Sequence, residues 1–220
     1  CGDWPKLRTG VPRMSEHVAH GGLRCLPERM AALGYETVYL QAAPLAFMLK
    51  DQFMRRIGFG TVLGNAWFPD AWSRTNWGVD DRTFFEGALR EVERLSSGER
   101  PWFLTLLTVG THHPYNVPRD FEAGGATGFA RAALQADRAL GDFLDALTTR
   151  DLLDDTLVLV TSDESAGLDE AAPVDSLTLL LSRSFGFLIV LGPQTRPMQV
   201  DEPFVQSDLA LSILDHLGAG

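Results

Sequence analysis

The strongest constraint on the fold is an alternation of short apolar runs with longer amphipathic stretches. Strand-sized runs rich in β-branched and aromatic residues lie at 36–41, 61–63, 102–109, 157–160 and 186–193. Between them, apolar residues recur with a helical period. Phe84, Phe85, Ala88, Leu89, Val92 and Leu95 share one face of a helix predicted to begin at Asp80-Asp81 and run to about Leu95. Phe129, Ala132, Ala133, Ala136, Leu140, Phe143, Leu144 and Leu147 form the stripe of a longer helix over 128–149. Shorter helices are predicted at 26–33, between Pro44 and Ile57, and at 206–217 behind the capping pair Ser207-Asp208. Residues 176–182 read as either a short strand or a helix. The run at 102–109 reads as a strand buried on both faces, as parallel sheets require, and those at 157–160 and 186–193 read as buried strands. The expected class is α/β: a mostly parallel central sheet with helices on both faces, in one domain over 1–220 with no second domain.

In an open α/β sheet, sites form at the carboxyl ends of strands. Two ends carry polar chemistry here. The run at 102–109 continues into Gly110-Thr111-His112-His113-Pro114-Tyr115. Adjacent residues in an extended segment point opposite ways, so one histidine of the pair is expected to face a site. The run at 157–160 ends in Thr161-Ser162-Asp163-Glu164-Ser165. This is either a loop with a capping Asp or a carboxylate pair suited to a hard ion such as Mg or Mn. The Trp-rich segment 65–79 either lines a site or covers a core with its own aromatics.

Composition removes some functions. The formal net charge of −10 argues against a basic nucleic-acid surface. No run approaches the ~18 apolar residues of a membrane-spanning helix. The sequence opens at Cys1 without an initiator Met and reads as a piece of a longer protein, so that absence says little about the whole. Two cysteines are compatible with one disulfide or two free thiols. His17 and His20 read as solvated, and His216 as a structural residue in a last helical turn.

Several segments, taken together in order and spacing, resemble the alkaline-phosphatase/sulfatase superfamily. The nearest likeness is to its phosphoglycerol-transferase branch, which includes the lipoteichoic acid synthases and the membrane-oligosaccharide glycerophosphotransferases. The segments are Cys25-Leu-Pro-Glu-Arg-Met, Gln41-Ala-Ala-Pro-Leu-Ala-Phe-Met-Leu-Lys, Trp77-Gly-Val-Asp-Asp, Leu106-Leu-Thr-Val-Gly-Thr-His-His-Pro-Tyr, the stretch 156–165 and Gln206-Ser-Asp-Leu.

The resemblance implies an alkaline-phosphatase-like fold truncated at its N-terminus. Asp163 matches the family's metal-binding Asp, and Glu164 stands where a His is usual. Asp163 and Glu164 are the implied metal ligands, for Mn or Mg rather than Zn or Ca. His112 matches the family's phosphate-contacting His. Lys50 stands where an Arg commonly meets the phosphate, supplying charge without the bidentate fork. Met48 replaces the aromatic common just before that Arg. No catalytic nucleophile is assigned in the chain, since the family's lies upstream of Cys1. A Cys1–Cys25 disulfide is implied, which fits a periplasmic or extracellular compartment.

The implied activity is metal-dependent transfer of phosphoglycerol from a phospholipid head group or related phosphate ester to a glycan or glycerophosphate acceptor. The implied setting is a bacterial-type cell envelope, with membrane attachment through a segment absent from this chain. Alternatives are a sulfatase or phosphodiesterase hydrolase of the same superfamily, and an inactive domain that binds a glycan or lipid head group. The isolated chain is expected to be inactive.

Overall fold

The computed structural model describes residues 25–163, 165–169, 171–193 and 196–219. Cys1, His17, His20 and Glu164 lie outside the described residues. The chain forms two compact units, one from 1–146 with 202–220 and one from 147–201.

The first unit is built on a parallel three-stranded sheet in the order β2-β1-β5. Its elements in chain order are α1 (Leu26–Ala32), β1 (Glu36–Gln41), α2 (Lys50–Arg56), β2 (Thr61–Leu63), the two-residue strands β3 (Arg74–Thr75) and β4 (Gly78–Val79), α3 (Asp81–Ser96), β5 (Trp102–Leu107) and α4 (Gly128–Thr149). Val38 pairs with Thr61 on one side and Leu104 on the other. β1 is therefore central, and Val38 and Leu40 are fully buried. Buried Gln41 is satisfied: its Oε1 accepts from Tyr39 Oη at 2.8 Å, and its Nε2 donates to Ala43 O at 3.0 Å. β5 lies at the sheet edge, and all six of its residues are only half-buried. That departs from the expectation of a strand buried on both faces, because an edge strand has a neighbour on one side only.

α3 packs Phe84, Ala88, Val92 and Leu95 into the core. Each of these four shields roughly 1.5–3 kcal/mol of side-chain transfer free energy, apart from the smaller alanine. Phe84 meets Phe68 at 5.9 Å between ring centroids, and Phe85 meets Phe143 of α4 at 5.2 Å. The predicted stripe of α4 is buried at Ala132 and Phe143, whereas Phe129 at its start is exposed. The end of α3 is tied to the start of β1 by charge: Arg94 Nη2 and Arg100 Nη2 reach Glu36 at 2.7 and 3.0 Å. The Arg94 hydrogen bond chiefly holds the Glu36 carboxyl below its usual range.

The helix expected from Pro44 to Ile57 is shorter. Residues 42–46 form bends and a turn, Phe47–Leu49 make a single 3-10 turn, and α2 starts only at Lys50. The break is local: Met48 and Leu49 both take left-handed backbone angles, at φ 56° and 54°. These conformations are uncommon outside glycine.

The second unit holds β6 (Val158–Thr161), α5 (Ser176–Ser182) and β7 (Leu188–Leu191). β6 and β7 pair antiparallel as a sheet of their own, with Val158 opposite Leu191 and Thr161 opposite Leu188. Neither strand is buried, and Ile189 and Val190 are exposed. An apolar run announces a strand, but partner and direction are decided outside the run. The 176–182 ambiguity resolves as helix. Asp175 caps it, accepting from Leu177 N at 2.9 Å and Thr178 N at 3.0 Å. Last in the chain and part of the first unit, α6 covers Leu209–His216. Among the described residues, no helix is long and apolar enough to cross a membrane.

Candidate functional site

The His112 edge is built upward from the segment Trp77-Gly-Val-Asp-Asp. Gly78 takes φ +145°, and a Cβ there would lie 2.2 Å from Ala42 O. Only glycine allows this close approach, which seats the strand β4 beside the end of β1. Val79 N donates to Ala42 O at 3.1 Å. Asp80 is fully buried and caps α3, its Oδ1 accepting from Thr83 N at 3.0 Å. Its Oδ2 accepts from Thr83 Oγ1 at 2.7 Å and Ser73 N at 2.8 Å.

Asp81 is also 0% exposed. Its Oδ1 accepts from Gly110 N at 3.1 Å, and its Oδ2 has no hydrogen-bond partner. A Cβ on Gly110 would stand 2.3 Å from that Oδ2. Burial pushes the Asp81 carboxyl up to about 6, assisted by the neighbouring charge of Asp80 and opposed by the Gly110 and Val109 amides.

Past Gly110 the chain makes two successive turns. His112 N donates to Val109 O at 3.0 Å, and Tyr115 N to His112 O at 2.8 Å. The segment is thus turned where the sequence reading takes it as extended. The two rings still separate. His112 stacks on Trp77 at 3.9 Å between centroids, while His113 meets Tyr115 edge-on at 5.5 Å. Asn116 closes the loop from below: its Oδ1 accepts from Ser73 Oγ at 2.6 Å, and its Nδ2 donates to Gly78 O at 3.1 Å. His112 Nδ1 lies 2.6 Å from His113 O. A carbonyl only accepts, so this contact places a proton on Nδ1 and leaves Nε2 for a substrate atom.

Lys50 is the part-buried first residue of α2, directly after the two left-handed residues. Three residues before it, exposed Phe47 sets its ring against Trp77 at 5.8 Å. A chain of rings therefore joins the Lys50 turn to His112: Phe47, Trp77, His112. Both substrate-binding candidates belong to the same unit. Trp77, Asp81 and Asn116 were not among the candidates. The available signal was the set of glycines at 78 and 110, since isolated glycines beside strands mark close backbone approach.

Asp163 lies in the other unit, exposed, two residues past the end of β6. Nearby, Thr161 Oγ1 donates to Phe187 O at 2.8 Å across the strand pair. Its expected co-ligand Glu164 lies outside the described residues. A hard divalent ion takes about six oxygen ligands, and the described residues contain no group of three or more His, Cys, Asp or Glu that could hold one. Asp163 alone does not make such a site. Cys25, 1% exposed, is disulfide-bonded. Its pairing with Cys1 falls outside the described residues.

The profile of the sulfatase family matches residues 5–219. Phosphoglycerol transferase I of Xanthomonas campestris is 27% identical over 188 residues, covering 80% of this chain and 26% of the relative. A solved alkaline phosphatase superfamily protein from Vibrio parahaemolyticus superposes with TM-score 0.76 at 24% identity, over 88% of this chain and 47% of that one. The lipoteichoic acid synthase LtaP from Listeria monocytogenes superposes with TM-score 0.71 at 15% identity, over 85% of this chain and 50% of that one. The chain thus spans about a quarter of the length of the curated relatives it matches. The α/β fold with its helix-flanked parallel sheet is shared with these two solved proteins, and by its sequence the chain belongs to the sulfatase family.

Proposed function

We propose that the full-length protein transfers a phosphoglycerol group from a phospholipid head group or related phosphate ester to a glycan or glycerophosphate acceptor. The observation that carries this reading is the exposed His112 ring, held on Trp77 at the end of β5 with Nε2 left for substrate. As imidazolium, Nε2–H donates to a phosphate oxygen. The turn that precedes Lys50 meets the same edge through Phe47 and Trp77, and the Lys50 ammonium is assigned as a further phosphate contact. The names of the relatives, phosphoglycerol transferase I and lipoteichoic acid synthase, support the choice of phosphoglycerol.

Asp163 and Glu164 are proposed as two oxygen ligands of a divalent ion, Mn or Mg, whose chemistry is to offset phosphate charge. The remaining ligands and the nucleophile are assigned outside this chain. So is a membrane anchor, with the domain in the periplasm or outside the cell.

The test is release of diacylglycerol from fluorescent phosphatidylglycerol by the full-length protein, with Mn or Mg and an added glycan. The His112→Ala variant is expected to lower kcat/KM by roughly 100-fold, as loss of one charge-stabilising donor does. Absence of metal-dependent turnover would sink transfer and hydrolysis together and leave a binding role. Release with no labelled glycan would make water the acceptor and the protein a hydrolase. The 220-residue chain alone is expected to be inactive, and turnover by it would place the nucleophile within it.

A further inference from the structure

The Asp81 carboxylate is energetically odd. It is fully buried, one oxygen has no partner, and another carboxylate adjoins it. An uncharged Asn in its place offers the same acceptor to Gly110 without burying a charge. A helix start needs no second buried acid either, because Asp80 already caps α3. What a carboxylate adds is a stronger grip, since a hydrogen bond to an ionised acceptor is roughly twice as strong as a neutral one.

The grip falls at an informative place. Gly110, three residues past the end of β5, opens the His112 turns, and its lack of a side chain lets Asp81 approach. The far end of the same loop is held by Asn116 on Gly78 and Ser73. Between the two anchors, the His112 ring rests on Trp77, whose own backbone joins Gly78. Asp81, Asn116 and Trp77 therefore frame one side chain from below.

We propose that Asp81 is a positioning residue for His112: its buried carboxylate holds the Gly110 amide and so fixes the loop that lays the His112 ring on Trp77. The cost of an ionised, incompletely paired carboxylate in the core is retained for geometry at the substrate edge rather than for stability. The proposal rests on the reading of His112 as the phosphate contact.

A double-mutant cycle in the full-length protein tests it, with kcat/KM measured on fluorescent phosphatidylglycerol. Misplacing a contact by about 1 Å costs up to ~100-fold, so Asp81→Ala is expected to lose about tenfold. Asp81→Asn, which keeps a neutral acceptor, is expected to lose about threefold. In a His112→Ala background both losses are expected to shrink below about twofold, because there is no ring left to position. Full, additive losses in that background would overturn the proposal and make Asp81 a structural residue alone. Unchanged kcat/KM in His112→Ala itself would instead overturn the phosphate reading. If Asp81→Ala does not fold, the Asp81→Asn arm of the cycle decides by the same criterion.

Discussion

At the end of β5, His112 sits over a frame of buried polar groups. At the end of β6, Asp163 sits among exposed ones. Below His112, Asp80, Asp81 and Asn116 are all less than 5% exposed, and their hydrogen bonds reach Ser73, Gly78 and Gly110. Past Leu147, no apolar residue among the described residues up to 201 is buried. Leu177 and Leu180 of α5 are 62% and 67% exposed. The capping bonds of Asp175 span two or three residues, whereas Asp81 reaches across 29. A buried polar group has no water to fall back on, so each missing partner is costly, and such groups define one geometry. An exposed one exchanges its partner for solvent at little cost. The same residue type at a strand end is thus a fixed instrument in one unit and a locally held side chain in the other.

Substitutions can break or sharpen this contrast. The largest effect is expected at Gly78, where a Cβ meets the backbone oxygen of Ala42, which no side-chain motion relieves. Gly78→Ala is expected to cost roughly 3 kcal/mol, seen as a fall in thermal midpoint of about 6–12 °C. An unchanged midpoint would show that the frame is softer than its geometry implies.

The next effect is set by pH. Asp81 has its folded pKa raised from 3.8 to about 6, so the folded state binds its proton more tightly than the unfolded chain does. Below pH 3.8 both states are protonated and burial costs nothing. As pH rises through 6 the folded state must bury a charge, and stability on the order of 3 kcal/mol is lost. Urea unfolding of the wild type and Asp81→Asn at pH 4 and pH 7 checks this: the variant is expected to gain on the wild type between the two. A constant difference would mean that Asp81 does not titrate in that window.

The smallest effects are expected in the second unit. Asp163→Asn and Leu180→Ser change exposed side chains, and both are expected within about 0.5 kcal/mol of the wild type. Hydrogen exchange of the β6 and β7 amides suits the comparison, since Trp67, Trp72, Trp77 and Trp102 belong to the first unit and their fluorescence reports on that one. A loss above about 1 kcal/mol at either position would erase the contrast.

Much of the fold was legible in the chain. β1 and β2 fall at 36–41 and 61–63 as read, and the long helix covers Gly128–Thr149. Those segments carry strong local periodicity. The shortened α2 was not legible, because Met48 and Leu49 are not residues whose chemistry advertises a left-handed backbone. The antiparallel pairing of β6 with β7 was not legible either, since an apolar run carries no direction. Of the site, His112 and Lys50 could be named from pattern. The ring chain through Phe47 and Trp77 that joins their segments could not.

By itself, the sequence determined the element types, the α/β class and the polar residues that follow each strand, because these depend on period and on neighbours along the chain. Tertiary structure alone decided what Asp81 is for. Beside Asp80 it reads as an acidic helix start that suits the dipole. Only when the end of β5 folds against α3 does its carboxylate meet the Gly110 amide. A hydrogen bond between residues far apart in sequence has no local signature, since what makes it is the exclusion of water by everything packed around it.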